Sequence, residues 1–377
     1  MTGIVRWARQ SEPAALAVPV LGRIDGCTHP ESAELLADGE HIAFGNCAMT
    51  LGIEAYRRGA GLVYLSGDSF ISTARVESDG GLELLERQCI SGLTATLGCD
   101  VLRRATKRFP DGTVFMAAGG NPIVRAGETT LLVDPALQRS QLLACDALRG
   151  ELLGSIPLYP GSAIARRFNP IDQPNGLAVN REGDLFFGDI PNSNPATVLP
   201  PPAPSAVYRI RHADIDALAM AGPDAESAAA RVQRVLVPGF VNGVTVAHSD
   251  GATWIVSCSS HDEARGAAYR LSDEDFERGV LPPPVVAGLG VLDGIGITRR
   301  GTLFVSNPRT GQIHVFLQDG SHRLLQLLGP EAIGTPADIN VCYPKFLGGE
   351  PALLAPDVSV TAKAGEGSVT LLDISGL

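Results

Sequence analysis

The chain has 377 residues, of which 45% are hydrophobic and 19% charged, so a large core can form and a disordered chain is excluded. Its net charge of −11 argues against nucleic acid or an anionic membrane surface as a partner, because both are negatively charged. No apolar run reaches membrane-spanning length, and residues 1–22 lack the apolar centre of a signal peptide. We therefore expect a cytoplasmic protein that acts on a small molecule.

Four stretches of the chain repeat one pattern. Each places an oxygen-bearing side chain at or near its start, continues as an alternating apolar segment, turns at a glycine and ends in a second apolar strand. The four stretches are residues 52–67, 175–189, 242–257 and 293–307. Repeated strand pairs of this kind are typical of radial folds, in which every repeat points its first residue at one axis.

Further apolar strands follow each pair, so the sequence predicts units of four strands. The first unit takes its strands from 53–56, 62–67, 72–78 and 82–88, and the second from 99–105, 113–119, 129–136 and 141–146. A sixth unit begins near Asp338 and takes its outer strand from the N-terminal segment, with HIAFGN (41–46) as the candidate. The predicted fold is all-β: a six-bladed β-propeller with four-stranded antiparallel blades. It forms one domain over 1–377, in which residues 1–45 help to close the ring.

The first residues of four predicted innermost strands are Glu54, Asn175, Asn242 and Asp293. Because innermost strands surround one axis, these two carboxylates and two amides would converge on one point. Such oxygen ligands favour a single hard divalent cation, with Ca²⁺ preferred and Mg²⁺, Mn²⁺ and Zn²⁺ as alternatives. Asn-Gly and Asp-Gly are also common turn signals, but here the turns between strands one and two are supplied by separate segments.

Hydrolysis at such a site also needs a group that takes a proton from water. Asp293 can do so from among the ligands. His261 is the imidazole candidate on the same face, although an ordinary surface histidine beside Asp262 is the simpler interpretation. Asp100 is the third candidate, as a base or an extra ligand, because the predicted register points it into the tunnel.

Two long intervals between strand signals indicate insertions. Residues 147–174, rich in Gly, Pro and Arg, join one predicted blade to the next and would form a lid-like insertion on the metal face. Residues 213–232 are rich in alanine and lack strand alternation, which predicts a short helical excursion.

The seven cysteines show no metal-binding spacing, and we expect them to be reduced thiols. A bridge between Cys47 and Cys342 would close the ring, but it would need an oxidising compartment.

Several segments resemble one protein family. QPNGLAVNREGDLFFGD, FVNGVTV and LDGIGITRRGTLFVSN resemble the senescence-marker-protein-30/gluconolactonase superfamily, which includes paraoxonases and strictosidine synthase-like proteins. GNCAMTLGIEAYRRGAGLVYLSG resembles the opening of a paraoxonase. The resemblance covers about residues 45–330. It implies a six-bladed propeller with one catalytic divalent ion, often calcium, and hydrolysis of lactones or related esters. It also implies that Glu54, Asn175, Asn242 and Asp293 are the metal ligands.

The chain departs from the paraoxonase pattern at several positions. Ala55 stands where paraoxonases carry a second carboxylate, and Gly294 stands where they carry an asparagine. Their second-blade histidine has no clear match. The site therefore resembles the gluconolactonase type more closely, although Gln173 replaces an arginine that assists sugar recognition there.

Two classes of function remain open. The first is a metal-dependent hydrolase of a lactone or ester, in which water attacks a metal-polarised carbonyl. The alternative is a non-hydrolytic propeller, either an isomerase, lyase or condensing enzyme with the same metal site or a ligand-binding module. The complete ligand set favours an enzyme.

Overall fold

Six four-stranded antiparallel sheets form a six-bladed β-propeller, which confirms the predicted fold class. The computed structural model describes residues 13–48, 63–65, 67–119, 121–125, 131–133, 139–168, 171, 173–190, 205–258, 266–327, 329–359 and 365–377. The innermost strands of neighbouring blades contact each other around the ring, so they enclose a central tunnel.

Each blade runs from an innermost strand beside the tunnel to an outermost strand at the rim. Blade 1 consists, in that order, of Pro30–Leu35, His41–Asn46, Ser69–Val76 and Leu82–Leu93. Blade 2 consists of Thr96–Val101, Val114–Ala118, Gln141–Asp146 and Glu151–Pro157. Blade 3 consists of Pro174–Val179, Leu185–Asp189, Ser205–Ile210 and Gln233–Val237.

The second half of the ring has the same order. Blade 4 consists of Phe240–Val246, Thr253–Cys258, Ala267–Leu271 and Val286–Ala287. Blade 5 consists of Ile295–Ile297, Leu303–Asn307, Gln312–Phe316 and His322–Leu325. Blade 6 consists of Asn340–Cys342, Ala352–Asp357, Gly367–Asp373 and Val20–Cys27.

The two ends of the chain meet in blade 6. Val20–Cys27 pairs antiparallel with Gly367–Asp373, so the N-terminal segment supplies the outer strand of the last blade. Ala14–Leu16 adds a parallel strand to the rim of blade 5. The candidate HIAFGN was the wrong segment for this role, because His41–Asn46 is the second strand of blade 1.

The prediction is wrong for the two inner strands of blade 1. Pro30–Leu35 is the innermost strand, and all six of its residues are buried although two are glutamates. The strand carries no alternation of apolar and polar residues, because protein covers both of its faces. Val63–Leu65, expected in this blade, pairs instead with Asn121–Arg125 in a separate three-stranded sheet.

Blade 2 differs from the prediction in its outer half. Leu131–Val133, expected as its third strand, completes the separate three-stranded sheet. Gln141–Asp146 is the third strand and Glu151–Pro157 the fourth. The segment 147–174 is therefore partly a blade strand, and its remainder carries the helix Ala163–Phe168.

Helices lie only in connections within the described part of the chain, and the helical excursion predicted for 213–232 is confirmed. It contains the 3₁₀ turn His212–Asp214 and the helices Ile215–Leu218 and Pro223–Ala229. The other helical segments are Asp273–Arg278, Gly329–Glu331 and Lys345–Leu347. None of the described helices has the length and apolar character needed to cross a lipid bilayer.

The cysteines Cys47 and Cys342 are both free and buried, so they form no bridge. The Cys47 thiol instead donates a hydrogen bond to the His29 carbonyl, with 3.1 Å between sulfur and oxygen. Burial also raises the pKa of both thiols well above the usual range, which keeps them protonated.

Candidate metal centre

The starts of the innermost strands form one layer of the tunnel, and the close approach of their backbones defines it. A Cβ atom on Gly176 would lie 2.4 Å from the Asn242 carbonyl oxygen. A Cβ atom on Gly243 would lie 2.5 Å from the Asp293 carbonyl oxygen. The glycine that follows each of Asn175 and Asn242 therefore lets neighbouring strands touch at that level, which we call the upper layer.

The upper layer continues through blades 6, 1 and 2. The Asp338 N–H donates to the Glu31 carbonyl oxygen at 2.9 Å, and the Ser32 hydroxyl donates to the Leu97 carbonyl oxygen at 2.8 Å. A Cβ atom on Gly98 would meet the backbone of blade 3, in the same way as the glycines of blades 3 and 4. The blades thus contribute, in ring order, Glu31, Leu97, Asn175, Asn242 and Asp293, and blade 6 contributes Ala337 with Asp338 one residue further along.

Three acidic residues of this layer are buried. Glu31, Asp293 and Asp338 are 7%, 9% and 8% exposed. Their side-chain oxygens take part in none of the hydrogen bonds or ion pairs between described residues. Burial raises the pKa of Glu31 to about 7. Burial raises the pKa of Asp293 and of Asp338 well above the usual range, and the negative charge of Glu31 adds to both shifts.

The two amides of the layer contact each other. Asn175 Nδ2 donates a hydrogen bond to Asn242 Oδ1, and Asn242 Nδ2 donates to the Leu292 carbonyl oxygen at 3.2 Å. Gln173, just before the blade 3 strand, is also buried. A cation that used the Asn242 side-chain oxygen would therefore replace the hydrogen bond from Asn175.

The structure brings Asn175, Asn242 and Asp293 together around one axis. Glu54 and His261 lie outside the described residues, so their roles remain predictions. The position at the head of the blade 1 inner strand belongs to Glu31, which the repeated sequence pattern does not predict. The one sequence feature that could have identified Glu31 is an acidic residue near the start of PESAEL. The Asn-Gly or Asp-Gly pair found in blades 3, 4 and 5 is missing there.

Asp100 lies outside the upper layer. The residue of blade 2 at that level is Leu97. The Asp100 carboxylate accepts hydrogen bonds from the Val179 N–H at 2.7 Å and from the Val101 N–H at 2.6 Å. The pairing of strands one and two shifts between Thr96 and Cys99. This irregularity moves the register away from the one that simple alternation predicts.

Asp100 belongs to a second, lower layer of the tunnel. Arg103 Nη2 lies 3.3 Å from Glu34 Oε1 and 4.0 Å from Asp100 Oδ1. Asn340 Nδ2 donates to the other oxygen of Glu34, which is also buried. These carboxylates have a positive partner and hydrogen bonds, so they differ from the three acids above them.

The donor set of the upper layer fits an oxygen-preferring cation. Among the described residues, no group of three or more His, Cys, Asp and Glu side chains is spaced to hold a metal on its own. A cation would therefore combine carboxylate oxygens with amide oxygens. Such mixed oxygen ligands suit Ca²⁺, whereas structural zinc sites use Cys and His.

Comparison with known proteins supports the fold. No family model and no curated protein sequence matches the chain. A luciferin-regenerating enzyme matches 93% of this chain over 92% of its own, at 11% identity and a TM-score of 0.52. The PQQ-bound aldose sugar dehydrogenase of Streptomyces coelicolor matches 96% of this chain over 99% of its own, at 12% identity and a TM-score of 0.52. A gluconolactonase of Xanthomonas campestris matches 98% over 99%, at 16% identity and a TM-score of 0.49. The two matches with TM-scores of 0.52 support the fold alone at 11% and 12% identity, and activity has to be argued from the site.

Proposed function

We propose that this chain is a metal-dependent hydrolase that acts on a lactone or ester at the upper layer of the tunnel. The observation that carries the proposal is the burial of Glu31, Asp293 and Asp338 without an ion pair or side-chain hydrogen bond among the described residues. Withdrawing an ionised carboxylate from water costs several kcal/mol unless a positive charge compensates it. A divalent cation in the layer would supply that charge.

The ligands in this proposal are Glu31 and Asp293 as carboxylates and Asn175 and Asn242 as neutral oxygen donors. Glu31 replaces Glu54 in the set, because Glu31 stands at the head of the innermost strand of blade 1. When bound there, a divalent cation polarises a substrate carbonyl and lowers the pKa of a nearby water molecule. The positive charge of this cation would also offset the cost of burying three acidic side chains in one layer.

Apolar residues next to the proposed site lower the local dielectric, which favours polarisation of a substrate carbonyl. Leu97, Cys47 and Ala337 are buried in one apolar cluster at the same level of the tunnel. An apolar wall lowers the local dielectric and strengthens every charge interaction beside it. The proton acceptor comes from the carboxyls of the layer, either Asp293 or Asp338, because a general base must be within hydrogen-bonding reach of the attacking water.

The connection 158–173 leads to the innermost strand of blade 3, which carries Asn175. Hydrogen bonds join its helix to another part of the chain. Arg167 in the helix Ala163–Phe168 donates to the Ala229 carbonyl oxygen at 2.9 Å, and Arg166 bonds Glu226. The lid-like role predicted for the larger segment 147–174 is retained for this part. These contacts join its helix to the helical excursion within 213–232.

The test combines metal analysis with turnover. Purified protein is freed of metal with a chelator, and hydrolysis of a panel of aliphatic lactones, sugar lactones and aryl esters is measured before and after addition of Ca²⁺, Mg²⁺, Mn²⁺ or Zn²⁺. We expect activity that is lost with the chelator and restored by one of these ions. Asp293→Asn should abolish it, whereas Glu274→Gln, an exposed helix position, should leave it unchanged.

A metal-binding protein without hydrolysis on any of these substrates would favour the non-hydrolytic alternative. That alternative is an isomerase, lyase or condensing enzyme with the same ion, or a ligand-binding propeller. Failure to bind any divalent ion would contradict both enzyme versions.

A further inference from the structure

The end of the tunnel opposite to the upper layer opens into a cavity of about 300 Å³. Its walls include the segments 179–182 and 246–251, which follow the innermost strands Pro174–Val179 and Phe240–Val246. Asn175 and Asn242 stand at the other ends of these same strands. The cavity is therefore separate from the candidate metal centre, with the lower layer of Glu34 and Asp100 between the two.

Three arginine side chains lie at or near this cavity, each from a different blade. Arg103 and Arg181 line it directly. Arg181 makes no ion pair or side-chain hydrogen bond with the described residues, so its guanidinium remains available. Arg299, from the corresponding turn of blade 5, lies with its guanidinium 3.8 Å from the centroid of the Tyr343 ring and has no carboxylate partner among the described residues.

The acidic residues of the cavity do not cancel this charge. Asp250 is neutralised by Arg270, at 2.6 Å between Oδ2 and Nη2. Glu182 is the one lining carboxylate without an ion pair among the described residues. Arg103 already pairs with Glu34 at 3.3 Å, so the uncompensated positive charge comes from Arg181 and the nearby Arg299, against the single carboxylate of Glu182. The cavity therefore keeps a local positive charge on a chain whose net charge is −11. A concentration of charge opposite to that of the whole molecule focuses counter-ions into the cavity.

The imidazole of His248 lies in the cavity wall, where the nearby positive charges affect its pKa. Its ring packs edge-on to Tyr343, with 6.0 Å between centroids. Burial, together with the positive charges of Arg103, Arg299 and Arg181, lowers the pKa of His248 to about 4. At neutral pH the imidazole is therefore uncharged and can donate one hydrogen bond.

We propose that this cavity binds a small oxyanion, the phosphate or carboxylate group of a metabolite-sized molecule, with Arg103 and Arg181 as its charged donors and His248 as a neutral donor. Guanidinium groups bind such oxyanions through paired, charge-assisted hydrogen bonds. Arg299 adds long-range attraction from the next blade. This inference is independent of the proposed hydrolase activity, because it uses other residues at the other end of the tunnel.

Isothermal titration calorimetry with two probes tests the inference, at pH 7.5 and constant ionic strength. Inorganic phosphate and malonate are titrated into metal-free protein, and tighter binding of one probe identifies the favoured oxyanion. We expect saturable binding of at least one probe, weakened about 10-fold by Arg181→Gln, since a charge-assisted hydrogen bond contributes about 1.5–3 kcal/mol. Glu182→Gln, which removes a repelling charge, should strengthen binding instead.

Arg300→Gln is the matched control. It removes a guanidinium from the residue next to Arg299, but Arg300 is exposed and faces Glu350 at 3.7 Å. Binding in this variant should stay within about twofold of the parent protein. Equal losses in Arg181→Gln and Arg300→Gln, or phosphate binding that neither variant changes, would place the anion elsewhere and overturn the proposal. Absence of saturable binding by both probes would do the same.

A spectroscopic readout locates the ligand independently of affinity. Nuclear magnetic resonance of the imidazole carbons should show an upward shift in the pKa of His248 on addition of the tighter probe, because an anion stabilises the charged ring. His314, which pairs with His322 in the outer strands of blade 5, should show no such change. An unchanged His248 in the presence of saturating probe would contradict binding in this cavity.

Discussion

Asp338 donates its N–H to the carbonyl oxygen of Glu31 at 2.9 Å, and this hydrogen bond joins the last blade to the first within the upper layer of the tunnel. The two residues come from near opposite ends of the chain, and burial together with the negative charge of Glu31 raises the pKa of Asp338. Ring closure and the candidate metal centre therefore share one contact. A cation that relieves the repulsion between these acids should also stabilise the closed ring.

The first prediction distinguishes Glu31 from Glu54 as the blade 1 ligand. Glu31→Gln should weaken Ca²⁺ binding at least about 10-fold, because calcium affinity depends on the number of charged ligands. Glu54→Gln should have little effect on metal binding. Calorimetric titration of Ca²⁺ into both variants measures the difference. Full affinity in Glu31→Gln together with a loss in Glu54→Gln would restore Glu54 as the blade 1 ligand.

The second prediction concerns Asp100. Its carboxylate accepts two backbone N–H groups, so Asp100→Asn should leave one donor unsatisfied and lower the free energy of unfolding by about 1–3 kcal/mol. Metal affinity should change less than about threefold, because Asp100 lies below the upper layer. Urea unfolding and calcium titration of the same preparation test both parts. Loss of metal binding with unchanged stability would show that Asp100 is a ligand after all.

The third prediction tests the close approach of the inner strands. A methyl group on Gly176 would lie 2.4 Å from the Asn242 carbonyl oxygen and 2.5 Å from the Val244 nitrogen. Gly176→Ala should therefore force the strands apart and lower the free energy of unfolding by about 3 kcal/mol or more. Gly376→Ala is the control, since a Cβ atom there meets nothing within 4 Å. Equal denaturation midpoints for the two variants would contradict the layer geometry.

The fourth prediction is a pH dependence from His314. Burial and the neighbouring His322 lower the pKa of His314 from 6.5 to about 4, and the two rings approach to 3.0 Å between Nδ1 and Nε2. Because the folded state binds fewer protons than the unfolded state, stability is complete above pH 6.5 and is lost as the pH falls towards 4. This pKa difference corresponds to about 3 kcal/mol.

His314→Gln should therefore lose less stability than the parent protein when the pH is lowered from 7 to 4. Urea unfolding at several pH values measures the two curves, and their difference removes contributions from other titrating groups. His212→Gln, which removes a half-buried imidazole outside the His314–His322 pair, controls for the substitution itself. Parallel curves for the parent protein and His314→Gln would contradict this role for His314.

The architecture and three members of the candidate site could be predicted from local sequence patterns. Asn175, Asn242 and Asp293 each head a segment in which strand alternation, a glycine turn and a second apolar strand follow within about fifteen residues. Information of this kind is local, so it can be recognised without knowing which strands pair. Repetition of the pattern along the chain then indicated a radial arrangement around one axis.

The residues that complete that layer in blades 1 and 2 depend on contacts between distant parts of the chain. Pro30–Leu35 is buried on both faces, so Glu31 stands in a strand without the alternation that marks a half-exposed one. In blade 2, the irregular pairing near Thr96 places Leu97 in the upper layer and Asp100 below it. Ring closure brings Glu31 beside Asp338 through contacts between distant parts of the chain, and local sequence patterns do not encode such contacts.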